Sequence, residues 1–270
     1  MEHRGAKRVK DLETIIVSKE TSIATITLNR PEKLNALSPD VMADFDEALD
    51  DAIRDKSIRA VIITGAGKSF SAGGDVKEDL DPLRILSPDE FNSYLRNAME
   101  SFKRMMYADK PIIAAINGYA VGAGMELALA CDIRIAAEDA KMGEFFVKMG
   151  IAPDIGLYIL PRLVGLGRAK SIAMLGEAIN ATDAQKMGLV DMVVPPDKLI
   201  SSAEELARKL ASGPKAIGII KKAIMDSLTM SLEQALEYTI LLQYQLFHTE
   251  DHQEAIKAFL EKRSPAFKGK

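Results

Sequence analysis

The chain of 270 residues has no tryptophan, three histidines and one cysteine, Cys131. One cysteine excludes an intrachain disulfide framework and suits a reducing compartment; the ordinary place for such a residue is a small gap in the core. No excess of basic charge is present either: the net charge is −4, which argues against a dedicated nucleic-acid binder, because phosphate binding draws on clustered Lys and Arg. The one concentrated basic segment is Arg4-Gly5-Ala6-Lys7-Arg8-Val9-Lys10. No apolar run approaches the roughly 20 residues that span a bilayer, and no apolar stretch follows the basic start as a leader requires. These absences predict a cytoplasmic protein with no membrane and no nucleic-acid partner, its first ten residues a frayed tail. What remains is ordinary for a soluble globular chain, 47% apolar and 27% charged, and long enough to bury a substantial core.

Against that background two glycine-rich turns stand out, Ser71-Ala72-Gly73-Gly74-Asp75 and Gly122-Ala123-Gly124-Met125-Glu126. Each follows a β-branched apolar run, Ala60–Thr64 and Pro111–Ile116 respectively. Turns without bulky side chains let backbone N–H groups approach a ligand oxygen. Two such donors on one carbonyl oxygen stabilise an enolate or a tetrahedral anion, and losing one costs roughly 2.7–4 kcal/mol of barrier lowering. The pattern points to an enzyme that handles an acyl group.

Along the chain, Thr14–Val17 and Ile23–Leu28 read as paired strands. Asn29 to Leu37 is a loop, and Ser38-Pro39-Asp40 opens a helix, with Ser38 as N-cap and Pro39 at the first helical position, running to about Asp55. Val76 to Pro88 is polar and weakly patterned and reads as a mobile segment beside a site. A helix over 88–107, the strand 111–116, a helix over 124–130 and the strand 132–136 alternate as in an α/β core. From Asp139 glycines punctuate short apolar pieces, so several short helices are expected. A last strand, 189–194, ends at Pro195-Pro196, followed by helical periodicity over 199–210, 215–227, 232–247 and 250–262. The composition shift divides the chain into an α/β body, 1–196, and a helical C-terminal part, 197–270.

Six segments then carry a resemblance in order and spacing: Asn29-Arg30-Pro31 with Leu34-Asn35-Ala36-Leu37, Phe70 to Asp75, Asn117 to Gly124, Ala130-Cys131-Asp132, Leu160-Pro161-Arg162, and Ala258 to Arg263. Over 14–262 the chain resembles the enoyl-CoA hydratase/isomerase (crotonase) family. The resemblance implies an α/β spiral of repeated β-β-α turns with a helical C-terminal region that packs homotrimers, often paired into hexamers. It implies an acyl-CoA thioester substrate, no cofactor beyond the coenzyme A of that substrate, and no metal.

Carried over by position, the oxyanion donors correspond to the N–H groups of Gly74 and Ala123, the second at a helix start where backbone dipoles add positive potential. Of the two glutamates that serve the family's hydratases, the first corresponds to Glu126 and the second position holds Phe146, which cannot transfer protons. A different carboxylate, Asp154, lies eight residues later, where some isomerase branches carry an acid. Apolar neighbours such as Ile151 and Ile155 are expected to raise its pKa. Glu144, two residues before Phe146, is a second candidate acid. Lys33 and Lys77 are candidates for the CoA phosphates, Phe259 and Lys262 for the nucleotide of a neighbouring subunit. Leu34, Ala36, Ala72, Gly73, Asp75 and Gly122 complete the expected substrate-binding set, with Asp75 also holding its turn by local hydrogen bonds. His248 and His252 have the four-residue spacing of a metal pair on a helix face, but no third ligand accompanies them, and Glu250 and Asp251 suggest only a polar or subunit-facing helix.

A 1,3 double-bond shift needs one base that removes a proton and returns it two carbons along, which Asp154 alone satisfies. Hydration needs water and the α-carbon served together, by Glu126 with Asp154. Isomerisation is therefore favoured over hydration, with hydrolysis or decarboxylation of another acyl-CoA as further readings and an RNA-binding or scaffold role as a distant one.

Overall fold

Two runs that are apolar on both faces, 60–65 and 112–116, form the centre of the larger of two sheets in the computed structural model, which describes residues 7–8 and 12–270. Strands with both faces covered belong in parallel sheets packed on each side. Here the order is β1 (Lys7–Arg8), β2 (Ile15–Glu20), β3 (Ile23–Leu28), β4 (Ala60–Gly65), β6 (Ile112–Ile116), β8 (Ile133–Ala137) and β11 (Met192–Val194). The pair β2–β3 is antiparallel across a tight turn at Thr21 and Ser22, both with positive φ, and from β3 onward every pairing is parallel. Most of the expected N-terminal tail lies outside the described residues; within it Lys7 and Arg8 pair with Lys19 and Ser18.

The crossover from β3 to β4 is α1 (Pro39–Arg54). Ser38 Oγ accepts from Val41 N, Pro39 occupies the first turn, and Val41, Phe45, Ala48, Leu49 and Ala52 form the buried stripe. A smaller sheet has the order β10 (Ile179–Asn180), β9 (Lys141–Gly143), β7 (Tyr119–Val121) and β5 (Ser69–Ser71). Each central strand of the large sheet passes the chain to a strand of the small one and then to a helix. Thus β4 leads through β5 to α2 (Asp81–Leu83) and α3 (Pro88–Tyr107), β6 through β7 to α4 (Ala123–Leu129), and β8 through β9 to α5 (Gly156–Val164) and α6 (Leu166–Leu175). This is the β-β-α spiral that the resemblance implies.

Two segments differ from the sequence reading. Of 189–194, only Met192–Val194 joins the sheet; Leu189 and Val190 are buried, but their N–H groups return to Ala184 O beside α7 (Ala181–Lys186). The segment 76–88, expected to be mobile, begins with a π-helical turn, Val76–Leu80, and continues into α2. Asp75 caps that turn: its Oδ1 accepts from Lys77 N and Glu78 N at 3.1 Å each, which satisfies amides a helix start otherwise leaves open.

Beyond residue 196 the chain is helical: α8 (Leu199–Ala211), α9 (Ala216–Ser227), α10 (Leu232–Phe247) and α11 (Glu250–Leu260). The first of these packs on β4, β6 and β8 through Leu199, Ala203, Ala207 and Ala211, so the junction at 196/197 marks a change of composition while α8 still belongs to the core. Asp251, read as part of a polar surface, is buried and accepts from Lys215 N, Lys268 N and Gly269 N at 2.7–2.9 Å, tying the last residues to the start of α9. No described helix is long and apolar enough to cross a membrane.

Candidate active site

Parallel pairing of β5 with β7 sets the two glycine turns side by side, because both turns leave the same end of adjacent strands. Contact between them is close enough to demand glycine. Gly73 has φ +89°, and a Cβ there would lie 2.7 Å from Val121 O and 3.4 Å from Ala123 N. Among the described residues, neither Gly74 N–H nor Ala123 N–H donates to a protein acceptor. Ala123 opens α4, whose first amides have no intrahelical partner.

The loop 29–37 holds the first turn from the other side. Asn35, buried and with φ +56°, donates from Nδ2 to Ala66 O and Ser69 O, and its Oδ1 accepts from Arg30 N. Ala72 N donates to Leu34 O, Leu37 N to Gly73 O, and Asp75 N to Leu37 O. Leu34 thus flanks the turn through its backbone, whereas Ala36 N returns to Lys33 O and Gly122, within the second turn, donates to Gly143 O. Lys33 is ion-paired with Glu78 and lies 3.6 Å from Asp75, while Lys77 is exposed on the π-helical turn. The burial of Asp75 is offset by those backbone bonds and by Lys33 and Arg30, which together hold its carboxyl below the usual range.

Glu126, fully buried on α4, spends both oxygens on one loop. Its Oε1 accepts from Asp154 N at 2.7 Å and Gly156 N at 2.9 Å, and its Oε2 from Ile155 N at 3.2 Å. Burial, reinforced by the charge of Asp154, pushes its pKa up to about 8 against the opposing effect of those three bonds. Asp154 is thereby fixed by its backbone while its side chain, half-buried, accepts no described hydrogen bond. Desolvation raises the Asp154 pKa, and the carboxylate of Asp79 raises it further. Of the two apolar neighbours expected to cover it, Ile151 is 47% exposed and Ile155 is partly buried against the core. Phe146 is buried in the 3-10 turn Phe145–Met149 and contributes only an apolar surface.

Asp79 and Tyr94 were not among the sequence candidates. Tyr94, on α3, donates its hydroxyl to Asp79 Oδ1, and Asp79 Oδ2 would lie 2.9 Å from a Cβ on Gly74. Desolvation raises the Asp79 pKa despite that bond. The only available signal was an acid in the weakly patterned stretch 76–88 and a tyrosine on the helix after it; their meeting depends on how 76–83 folds back on the turn.

Phe259, 81% exposed, ends α11 and Lys262 follows it with φ +54°. The chain also breaks between the two C-terminal histidines: His248 closes α10, Thr249 Oγ1 caps α11 by accepting from His252 N, and the pair is not on one helix face. No group of three or more metal-ligating side chains is arranged for a metal among the described residues.

This α/β spiral carries two amides with no described protein acceptor and a group of buried carboxyls. Residues 18–270 match the enoyl-CoA hydratase/isomerase family, and the chain belongs to it. It is 38% identical to the short-chain-enoyl-CoA hydratase of Clostridium acetobutylicum over 94% of this chain and 97% of that protein. It is 39% identical to the 1,2-epoxyphenylacetyl-CoA isomerase of Escherichia coli K12 over 96% of this chain and 100% of that protein. The crystal structure of an enoyl-CoA hydratase from Bacillus anthracis superposes with a TM-score of 0.88 at 36% identity, covering 96% of this chain and 100% of that one.

Proposed function

We propose that the protein shifts a double bond in an enoyl-CoA thioester, with Asp154 as the base that removes and returns the proton and the N–H groups of Gly74 and Ala123 holding the enolate oxygen. The observation that carries this reading is the use of Glu126: three backbone amides of 154–156 occupy its oxygens, so it serves as the clamp that presents Asp154. Removing a proton next to the thioester carbonyl leaves a C–H electron pair that spreads onto the oxygen. Two amides fixed beforehand stabilise that charge without reorganising. The raised pKa of Asp154 brings it closer to neutrality, where a base both takes and gives a proton efficiently. Phe146 leaves no carboxyl at the position from which a second proton would be delivered.

Hydration by Glu126 with Asp154 is the second reading, supported by relatives named as hydratases. It requires Glu126 to take water on the one acceptor site of Oε2 that its three loop amides leave open. Binding of the CoA phosphates by Lys33 and Lys77, and of the nucleotide by Phe259 and Lys262 from a neighbouring subunit, completes the proposal. Assembly into trimers or hexamers is supported by Leu232, Leu236, Ile240, Leu241, Tyr244 and Phe247, all more than half exposed on α10.

Offering 2-enoyl- and 3-enoyl-CoA in heavy-oxygen water separates the readings: a moved double bond with no oxygen uptake supports isomerisation, and uptake supports hydration. Asp154→Asn is expected to abolish isomerisation with CoA affinity nearly unchanged. Turnover like the wild type in that variant would sink the assignment.

A further inference from the structure

Glu144 follows β9 and is wholly buried, yet neither of its carboxyl oxygens has a hydrogen-bond partner. It caps nothing: the 3-10 turn that begins after it receives no side-chain bond from it. Its carboxyl faces Glu126 across Gly156, where a Cβ would lie 2.7 Å from Glu144 Oε1 and 2.9 Å from Glu126 Oε1. The missing side chain at Gly156 is what lets the two acids share this space.

Their surroundings differ. Three N–H groups point at Glu126 and favour its anion, whereas none points at Glu144. A buried carboxylate without a donor or cation is far less stable than the neutral acid. The charges acting on Glu144 are those of Glu126, from α4, and Asp154, from the loop before α5, both negative; Lys148 in the adjoining turn lies over the Phe145 ring. Burial and these two carboxylates push the Glu144 pKa up to about 9.

We propose that Glu144 is a positioning residue that acts as a neutral acid: by adding no charge beside Gly156 it leaves Glu126 seated on the 154–156 amides that present Asp154. Stability follows from the raised pKa. The folded protein holds this proton more tightly than the unfolded chain, so the contribution is full below the unfolded value and is lost as pH rises through the folded one. Ionised Glu144 would set a second negative charge beside Glu126 and loosen the clamp.

The inference rests on Asp154 as the base, and its test has a readout independent of turnover. Infrared titration of the wild type should show buried protonated carboxyl absorbance at neutral pH whose most alkaline step, near pH 9, is missing from Glu144→Gln. Glu144→Gln, neutral at every pH, should lack the alkaline fall in kcat of the wild type. Absence of the protonated band, or an alkaline limb unchanged in Glu144→Gln, overturns the proposal. Should the variant fail to fold, the wild-type titration alone decides. If Asp154→Asn stayed active while the band behaved as described, the base assignment would fail and the protonation of Glu144 would stand.

Discussion

Replacing Gly73 by alanine tests whether the touching of two turns creates the site. The new methyl group meets Val121 O at 2.7 Å and Ala123 N at 3.4 Å, and both neighbours are backbone, so neither can swing aside. At φ +89° an L-residue adds strain of roughly 1–2 kcal/mol. Relief requires the turn at 73–74 to move away from the start of α4 by several tenths of an ångström, which pulls the Gly74 and Ala123 amides out of register with one oxygen. Loss of one donor from such a pair costs on the order of 10²–10³ in kcat. The assay is kcat on enoyl-CoA beside thermal melting. Gly165→Ala is the control, because Gly165 has φ +80° and no atom within 4 Å of a built Cβ. Gly165→Ala should lose stability through its φ alone and Gly73→Ala more, through its added backbone clash, and only Gly73→Ala should lose turnover, by about a hundredfold. A folded Gly73→Ala protein with wild-type kcat would refute the convergence of the amides as the source of rate.

Two further outcomes follow from the site and the surface. Asp79→Asn removes the negative charge that raises the Asp154 pKa. Asp154 would then stay ionised to lower pH, and the acid limb of kcat/KM should move down in pH; a limb that does not move removes Asp79 from the base's environment. On α10, Leu236→Asp with Ile240→Asp places two charges on a face more than half exposed in one chain. Sedimentation should then report monomers, and an unchanged assembly would show that this face is not the interface.

Much of the fold was legible because its signals are local. Ser38-Pro39 marks a helix start by its own chemistry, and the runs at 60–64 and 111–116 are β-branched and apolar without interruption, as buried parallel strands require. The short strands β5, β7, β9 and β10 escaped because two or three residues carry no periodicity. The turn at 76–80 escaped because its order comes from one cap, Asp75, and from Tyr94 on a different helix. At the site, the glycine turns and Asp154 could be named from sequence, whereas Asp79 could not.

By itself the sequence determined the ingredients: two side-chain-poor turns after buried strands, an aromatic ring at position 146 and acids at 126, 144 and 154. Their division of labour was decided only in three dimensions, since a carboxyl's behaviour depends on which donors and charges reach it. Three amides from one loop make Glu126 a clamp, and none at all leaves Glu144 a candidate keeper of its proton. Those partners are 28–30 residues away from Glu126 along the chain, and no pattern of neighbours in sequence encodes that distance.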